Sequence, residues 1–360
     1  MLKPSFKAAT SICVVGTGAV GLLYGGFLVD ASLKLKNNNN NNISFITRGD
    51  LTSLKAYGYS IKSATYGNLN IPSTLFSNYY TQNNINNKFD WIILSTKTNS
   101  LLRTNDLPVL LSKLAHENSK ILCLMNGLNI ENYIDNYNIF KKENINGGMA
   151  FVCSNKIYLD TNTITIDHSA YGSVLLGNYC NNNEILQECK ELLFKNSVLY
   201  NDVSITNCLL TSRWKKLAWN IPFNGLSIAL GGIPTSFISK NQHLRQYGHD
   251  IMSDLIDLAN LDIAKNTQNK ILLNKSELMS SMWKLTDSMG DYKTSGCLDL
   301  MNNREMEYEF MFHSVYKKLQ QYNDNKFPYL QSLLHTVATV DAMAKKKREA
   351  KSNWSTNYLF

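Results

Sequence analysis

The stretch Ser11-Ile-Cys-Val-Val-Gly-Thr-Gly-Ala-Val-Gly-Leu-Leu-Tyr-Gly-Gly26 decides how the first part of the chain folds. Its apolar run, residues 12–15, predicts a buried parallel β-strand, and the residues that follow predict a helix to about Leu33. Between them, Gly16-x-Gly18-x-x-Gly21 has the spacing that lets a chain turn sharply, admit a pyrophosphate close to the backbone, and pack helix against strand. We therefore predict an N-terminal Rossmann-like α/β unit.

The same turn predicts a dinucleotide site. The free N–H groups and the positive end of the helix dipole face an anion at such a turn. The residues predicted here to contact the cofactor are Gly16, Thr17, Gly18, Ala19, Val20 and Gly21. A glycine-rich turn that binds no ligand can have the same sequence. The position of this turn, directly after a predicted strand and at the start of a predicted helix, favours a binding site.

The end of the second predicted strand, residues 43–46, indicates which dinucleotide is bound. An acidic residue at this place accepts hydrogen bonds from a ribose 2′-OH, whereas an arginine pairs with the 2′-phosphate of NADP. Arg48 holds the place and Asp50 lies two residues beyond it. The pattern favours NADP(H) over NAD(H), and a surface arginine after a strand is the alternative.

Two further polar residues follow predicted strands. Lys97 comes after the apolar run at residues 89–95, and Asn126 comes after the run at residues 120–125. Ligands of open α/β sheets bind at the carboxyl ends of the strands, so two polar residues at strand ends of one sheet favour contact with a ligand there. Either residue alone is equally well explained as turn chemistry.

Composition limits the class of protein. The chain has 360 residues, enough for two domains, and its 44% hydrophobic content is typical of a globular protein. A net charge of +8 suits an anionic ligand, but no zinc-finger spacing and no basic–aromatic RNA motif is present, so no nucleic-acid partner is predicted.

Cysteine usage and hydropathy point to a cytoplasmic protein. Seven cysteines are scattered without a CxxC pair, which favours reduced thiols, and the histidines show no metal-ligand spacing. No run of about 18 apolar residues predicts a membrane span. Lys3 and Lys7 before an apolar stretch resemble a signal peptide, but cleavage there would remove the first strand. A mitochondrial presequence stays open.

The periodicity changes after a last short strand, predicted at residues 198–203. From there to residue 346 the pattern is mostly helical. We therefore predict an NADP-binding Rossmann-like domain over 1–203, an all-helical substrate and catalytic domain over 204–346, and a C-terminal tail over 347–360.

A polar stripe marks the second domain. Lys216, Asn220 and Asn224 are spaced i, i+4, i+8, which places them on one face of a helix, and apolar and aromatic residues surround them. Buried amides and amines need partners, and a polar ligand would supply them. Pro222 should kink this helix or remove a backbone bond. A solvent-facing stripe on an ordinary amphipathic helix remains the alternative.

From residue 12 to about residue 340, the chain resembles the ketopantoate reductase (2-dehydropantoate 2-reductase) family. The matching pieces are Gly16-Thr-Gly-Ala-Val-Gly21, Arg48, Lys97, Asn126-Gly127, Lys216-Leu-Ala-x-Asn220-x-x-x-Asn224, Ser280-Ser-Met282 and Arg304-Glu305-Met-Glu-Tyr308. Each piece alone is unspecific, and their order makes the resemblance specific.

The resemblance implies a role for each matched residue. The N-terminal domain would hold NADPH, with Arg48 and Lys97 at the adenosine phosphate end, and the helical domain would close over a 2-oxo acid. Lys216 would protonate the carbonyl oxygen. The remaining implied ligands are Asn126, Asn220, Asn224 and Ser281 for the substrate, and Asn126 and Glu305 for the cofactor. On their own, Ser281 reads as a helix cap and Glu305 as a first-turn acid.

The departures from the family pattern lie on the substrate side. Met125 stands where glutamine is usual, and the interval between Ser281 and Glu305 is roughly twice the family's usual interval. The leading hypothesis is an NADPH-dependent reductase of 2-dehydropantoate, acting as a monomer or homodimer on a small-molecule 2-oxo acid. A reductase of another 2-oxo acid and a non-catalytic NADP-binding regulator are the alternatives.

Overall fold

The computed structural model describes residues 10–34, 42–47, 49–77, 88–103, 106–159, 163–268, 270–322 and 324–356. Arg48, predicted to meet the 2′-phosphate, lies outside the described residues. The chain divides into two compact units: Met1–Met125 with Ile130–Leu209, and Asn126–Asn129 with Leu210–Phe360.

The first unit is built on one mixed sheet. Its strands are β1 (Ser11–Val15), β2 (Asn42–Ile46), β3 (Tyr59–Ser63), β4 (Leu69–Ile71), β5 (Phe76–Ser77), β6 (Phe89–Leu94), β7 (Ala115–Cys123), β8 (Ile145–Tyr158), β9 (Ile164–Asn178) and β10 (Val203–Ile205). Its helices are α1 (Ala19–Lys34), α2 (Leu51–Tyr57), α3 (Asn99–Leu102), α4 (Asp106–Leu114), α5 (Ile130–Asp135) and α6 (Asn183–Cys189).

Strand order confirms the Rossmann-like prediction. Along the sheet the strands run β4-β3-β9-β8-β7-β6-β1-β2-β5, with β10 beside β9. β1 is parallel to both β2 and β6, and β7 continues the parallel set beside β6. This order places the carboxyl ends of β1, β2, β6 and β7 at one edge, where open α/β sheets bind ligands.

Most of helix α1 is apolar and buried, because the helix is covered on two sides. A Cβ added at Gly25 would meet Phe45 of β2 at 2.5 Å, whereas one at Gly26 would meet Ile61 of β3 at the same distance. The helix therefore packs against the parallel strands on one side and against the β3 region on the other. A helix that is hydrophobic all round is a buried one.

The last strand of the first unit begins later than its sequence predicts. Residues 198–203 do not form a strand: Tyr200–Asp202 is a 3-10 turn, and β10 pairs with β9 from Val203 to Ile205. The hydroxyl of Ser197 accepts a hydrogen bond from the Leu199 N–H (3.2 Å), which stabilises a turn instead of an extended chain.

The second unit is helical. Its helices are α7 (Leu209–Ala229), α8 (Thr235–Lys240), α9 (Gln242–Asn266), α10 (Lys275–Ser288), α11 (Ser295–Met301), α12 (Ser314–Gln321) and α13 (Pro328–Thr356). α13 extends through the region predicted as a C-terminal tail, so residues 347–356 are helical. Among the described residues, no helix has the length and apolar character needed to cross a membrane.

A buried carboxylate fixes α7 within this unit. Asp262 of α9 is fully buried and accepts hydrogen bonds from Trp214 Nε1 (2.9 Å) and Lys318 Nζ (2.7 Å). The Tyr322 hydroxyl donates to the same carboxylate at 3.3 Å. Because a buried charge must be paired, this network holds α7, α9 and α12 in one arrangement.

Candidate functional site

The glycine turn of the first unit has the geometry that its spacing predicts. Gly16 has φ +109°, and an added Cβ would lie 2.8 Å from the Thr96 N atom after β6. An added Cβ at Gly21 would lie 2.1 Å from the Gly16 carbonyl oxygen. Both positions therefore admit glycine alone, the first for backbone conformation and the second for close packing of α1 on β1.

Gly18 differs because an added Cβ there would meet no heavy atom within 4 Å. The residue is exposed at the start of α1, a 16-residue helix, where the first N–H groups have no carbonyl partner within the helix. Open space at a helix N-terminus fits a pyrophosphate. The residues of this turn thus fit a dinucleotide.

The turn is tied to the end of β2. The hydroxyls of Thr17 and Thr47 are hydrogen-bonded at 2.6 Å, and Thr47 also donates to the Gly49 carbonyl at 2.5 Å. Lys156 of β8 donates to the Thr17 carbonyl at 3.0 Å and pairs with Asp50. Sequence reasoning missed Lys156, because nothing in the β8 stretch indicates which residues it will meet.

Lys97 and Asn126 follow adjacent parallel strands, as their sequence positions predict. Lys97 is exposed three residues beyond β6, and Asn126 is partly buried three residues beyond β7. Asn126 and the next three residues belong to the second unit: the Leu128 N–H donates to the Phe310 carbonyl at 2.9 Å. Gly127 has φ +107°, and a Cβ there would lie 2.3 Å from the Phe310 carbonyl oxygen.

The polar stripe of α7 lies on one helix face, partly buried, as predicted. Lys216 is partly buried, Asn220 is 8% exposed and Asn224 is 1% exposed. Pro222 lies inside the helix and removes one backbone donor. Trp219 and Phe223 of the same helix contact α10, since the Trp219 Nε1–H donates to Thr286 at 3.0 Å and Phe223 packs edge-on to Trp283.

The pKa of the Lys216 amine is strongly shifted. Burial, chiefly, and the positive charge of Arg213 together lower its pKa from the ordinary value of 10.5 to about 7, against the opposing effect of Glu307. Desolvation and like charge together outweigh the carboxylate. A lysine with a pKa near 7 can give up a proton at neutral pH.

The two asparagines of the stripe have different surroundings. The carboxamide of Asn220 has no hydrogen-bond partner among the described residues, although the residue is nine-tenths buried. Asn224 Oδ1 instead accepts the Gly296 N–H of α11 at 3.0 Å. α11 forms within the long interval that separates this chain from the family pattern, so that interval contacts the stripe directly.

Ser281 and Glu305 are both exposed. The Ser281 hydroxyl donates to the Leu278 carbonyl of its own helix at 2.8 Å. Glu305 is outside any helix and interacts electrostatically with Asp341, whereas Glu307 is the carboxylate that acts on Lys216. Sequence reasoning missed Glu307 and Arg213. The signal for Arg213 was its position three residues before Lys216 on the same helix.

Among the described residues, no group of three or more histidine, cysteine or acidic side chains could hold a metal ion. The candidate functional residues form two regions, one in each unit. One is the glycine turn with the end of β2, and the other is the α7 stripe with Glu307.

Comparisons with known proteins agree over both units. Residues 12–181 match the family model described as "Ketopantoate reductase PanE/ApbA", and residues 209–341 match "Ketopantoate reductase PanE/ApbA C terminal". A 2-dehydropantoate 2-reductase from Nostoc sp. is 26% identical over 331 residues, which is 91% of this chain and 94% of that protein.

Solved structures share the fold. The crystal structure of 2-dehydropantoate 2-reductase from Geobacter metallireducens has a TM-score of 0.76 and 26% identity, covering 91% of this chain and 99% of that one. A D-mandelate dehydrogenase solved with NADH and anilino(oxo)acetate has a TM-score of 0.75 at 20% identity, covering 93% of this chain and 99% of that one. The latter likeness shows the fold alone.

Proposed function

The chain belongs to the ketopantoate reductase family, and we propose that it reduces 2-dehydropantoate to (R)-pantoate with NADPH, a step toward pantothenate and coenzyme A. One observation carries the proposal. A lysine with a pKa near 7 lies on the same helix face as Asn220, a largely buried residue whose carboxamide bonds no other described residue.

Lys216 is proposed as the proton donor. Addition of a hydride to the ketone carbon leaves negative charge on the ketone oxygen, which must be protonated to give the alcohol. A bound reduced nicotinamide supplies that hydride and is oxidised in the process. The protonated Nζ of Lys216 donates its proton to the ketone oxygen, an effect typically worth about 10²–10⁴-fold in rate. Glu307 favours the protonated form of Lys216 in the resting protein.

Asn220 is proposed to hold a substrate oxygen. Its carboxamide bonds no other described residue, so it is available to bond a ligand. A carboxylate or hydroxyl oxygen of the substrate would supply that partner. Asn224 keeps its Nδ2 as a donor while Oδ1 is bound to α11. Asn126 and Ser281 are proposed to complete the set, and Glu305 to bind near the nicotinamide ribose.

NADPH is the proposed cofactor. The open space at Gly18 and the α1 N-terminus support binding of the pyrophosphate. Arg48 and Lys97 are proposed to meet the adenosine phosphates. We further propose a cytoplasmic enzyme that acts as a monomer or homodimer, with cofactor binding in residues 1–203 and substrate binding in residues 204–346.

A spectrophotometric assay tests the reaction. Purified protein is mixed with NADPH or NADH and with 2-dehydropantoate, and the loss of reduced-nicotinamide absorbance is followed. We expect fast turnover with NADPH and 2-dehydropantoate. Tight NADPH binding without turnover of any 2-oxo acid would contradict the proposal and favour a regulator.

A reductase of another 2-oxo acid is the second candidate, because α11 contacts the substrate stripe. Gly296 binds Asn224 directly, and an added Cβ at Gly296 would meet Ile228 of α7 at 2.8 Å. This contact fixes the orientation of the Asn224 carboxamide, and a different orientation changes which substrate oxygens it can reach. A panel of branched 2-oxo acids in the same assay decides between the two: a compound turned over far faster than 2-dehydropantoate would replace it.

A further inference from the structure

An ion pair lies beside the glycine turn of the first unit. Lys156 Nζ of β8 is bonded to Asp50 Oδ2, and the two side chains are only 14% and 25% exposed. The Tyr158 hydroxyl donates to Asp50 Oδ1 at 3.0 Å. Both oxygens of the Asp50 carboxylate are therefore occupied, and its charge is balanced by a lysine.

The position of this pair relates it to the cofactor. Lys156 also donates to the Thr17 carbonyl at 3.0 Å, and the Thr17 hydroxyl is hydrogen-bonded to Thr47 directly after β2. The pair thus joins the glycine turn to the end of the second strand. In βαβ dinucleotide folds the adenosine ribose binds at the end of that strand.

Asp50 lies four residues beyond the end of β2, and an acidic residue at the end of the second strand ordinarily selects NAD. Its carboxylate accepts hydrogen bonds from the ribose 2′-OH, and its negative charge disfavours a 2′-phosphate. Asp50 alone would therefore oppose NADPH. Its pairing with Lys156 and Tyr158 removes both effects, because the oxygens are already bonded and the net charge of the pair is zero.

We propose that Lys156 is a specificity-determining residue, which permits NADPH binding by neutralising Asp50 beside the ribose. The inference rests on the NADPH dependence proposed above. Lys156 and Asp50 are 106 residues apart in the chain, so only the packing of β8 over the glycine turn brings them together. Lys156 acts on the choice of cofactor through its charge, and this effect requires no contact with the nicotinamide.

Equilibrium binding measures this role without turnover. Dissociation constants for NADPH and NADH are determined by fluorescence titration for the wild-type protein, Lys156→Met, Asp50→Asn and the double variant. We expect Lys156→Met to weaken NADPH relative to NADH by about tenfold or more, because Asp50 is then left negative and unpaired. In the double variant, the loss of that charge should restore most of the NADPH preference.

Lys120→Met is the matched control. Lys120 forms an ion pair of similar exposure with Glu188, 21% and 26%, on β7 and α6. Lys120→Met should leave the dissociation constants for NADPH and NADH unchanged. Lys156→Arg keeps the positive charge and should keep the preference, and circular dichroism verifies that each variant is folded.

The outcomes separate this inference from the cofactor proposal. If wild type prefers NADPH and Lys156→Met weakens both dinucleotides equally, Lys156 only supports the turn and the inference is overturned. The inference is overturned as well if Lys156→Met leaves the dissociation constants of both NADPH and NADH at their wild-type values, while the NADPH proposal stands. If wild type itself prefers NADH, the proposed cofactor and the inference both fail.

Discussion

Two lysines, one in each unit, have opposite surroundings. Lys156 in the first unit is bonded to the Asp50 carboxylate and to the Thr17 carbonyl. Lys216 in the second unit is desolvated by burial with the charge of Arg213 nearby, and the opposing effect of Glu307 is smaller, so its pKa falls to about 7. Both side chains are largely covered by protein.

The difference indicates two uses of the same side chain. A lysine bonded to a carboxylate provides a fixed charge, which suits the shaping of a binding site. A desolvated lysine beside another cation loses its proton readily, which suits acid–base chemistry. The first unit therefore has the features of a binding region, and the second has those of a reacting one.

Removal of the reacting lysine tests the comparison most strongly. We expect Lys216→Ala to lower kcat by about 10²–10⁴-fold, because the proton donor is lost, while the NADPH dissociation constant stays nearly unchanged. Steady-state kinetics and fluorescence titration measure the two effects. Lys215→Ala, on the exposed neighbouring position, is the control. A variant that loses NADPH binding to the same extent would place Lys216 in the binding region.

Asn220 sharpens the assignment of the stripe to the substrate. Asn220→Ala removes a donor proposed to bond a charged oxygen, so kcat/KM for the 2-oxo acid should fall about 10- to 150-fold. NADPH affinity should not change. Asn260→Ala, whose carboxamide bonds the Leu273 backbone, controls for loss of an amide in the same unit. Equal kinetics for Asn220→Ala and wild type would remove Asn220 from the site.

The pH dependence of turnover reports the state of Lys216. Only the protonated amine can donate, so kcat should fall by about tenfold per pH unit above a pKa near 7. Stopped-flow measurement of NADPH oxidation from pH 6 to 9 gives the profile. The slope should be absent in Lys216→Ala. A constant rate up to pH 9 would show that the amine keeps its ordinary pKa or takes no part.

The glycine turn can be tested by two substitutions of the same size. Gly18→Ala places a methyl in open space, so the fold should be kept while NADPH affinity falls by about tenfold or more, since the pyrophosphate needs that space. Gly21→Ala forces a contact with Gly16 and should lower the Tm. Thermal unfolding and NADPH titration separate the two. Unchanged NADPH binding by Gly18→Ala would show that the pyrophosphate does not bind beside Gly18.

The smallest expected effect is on stability. Because the folded-state pKa of Lys216 lies below its ordinary value, the unfolded chain binds more protons between about pH 7 and 10.5, and stability rises with pH there. Lys216→Met removes the cost of the buried charge, which is present in full below pH 7. We expect the Tm at pH 6 to rise by about 2–4 °C per kcal/mol recovered, and the gain to vanish near pH 10.5.

Thermal unfolding of Lys216→Met and wild type between pH 6 and 10.5 measures this gain. Lys215→Met, on the exposed position, should show none. A gain of the same size at every pH would mean that improved apolar packing is responsible, and that the charge is not.

Local patterns were sufficient for much of the fold. The strand–turn–helix over residues 11–34 is confirmed because apolar periodicity and glycine spacing are properties of neighbouring residues. The i, i+4, i+8 stripe of α7 is confirmed for the same reason. The strand predicted at residues 198–203 was wrong, since the hydroxyl of Ser197 stabilises a turn that competes with the extended chain.

The sequence by itself determined the glycine turn, the strand and helix on either side of it, and the polar stripe that begins at Lys216, because each depends on residues close together along the chain. Only the tertiary structure decided that Lys156 neutralises Asp50 and that Gly296 binds Asn224. The physical reason is distance along the chain: which polar groups meet across many residues depends on how β8 and α11 pack, and no local pattern encodes that packing.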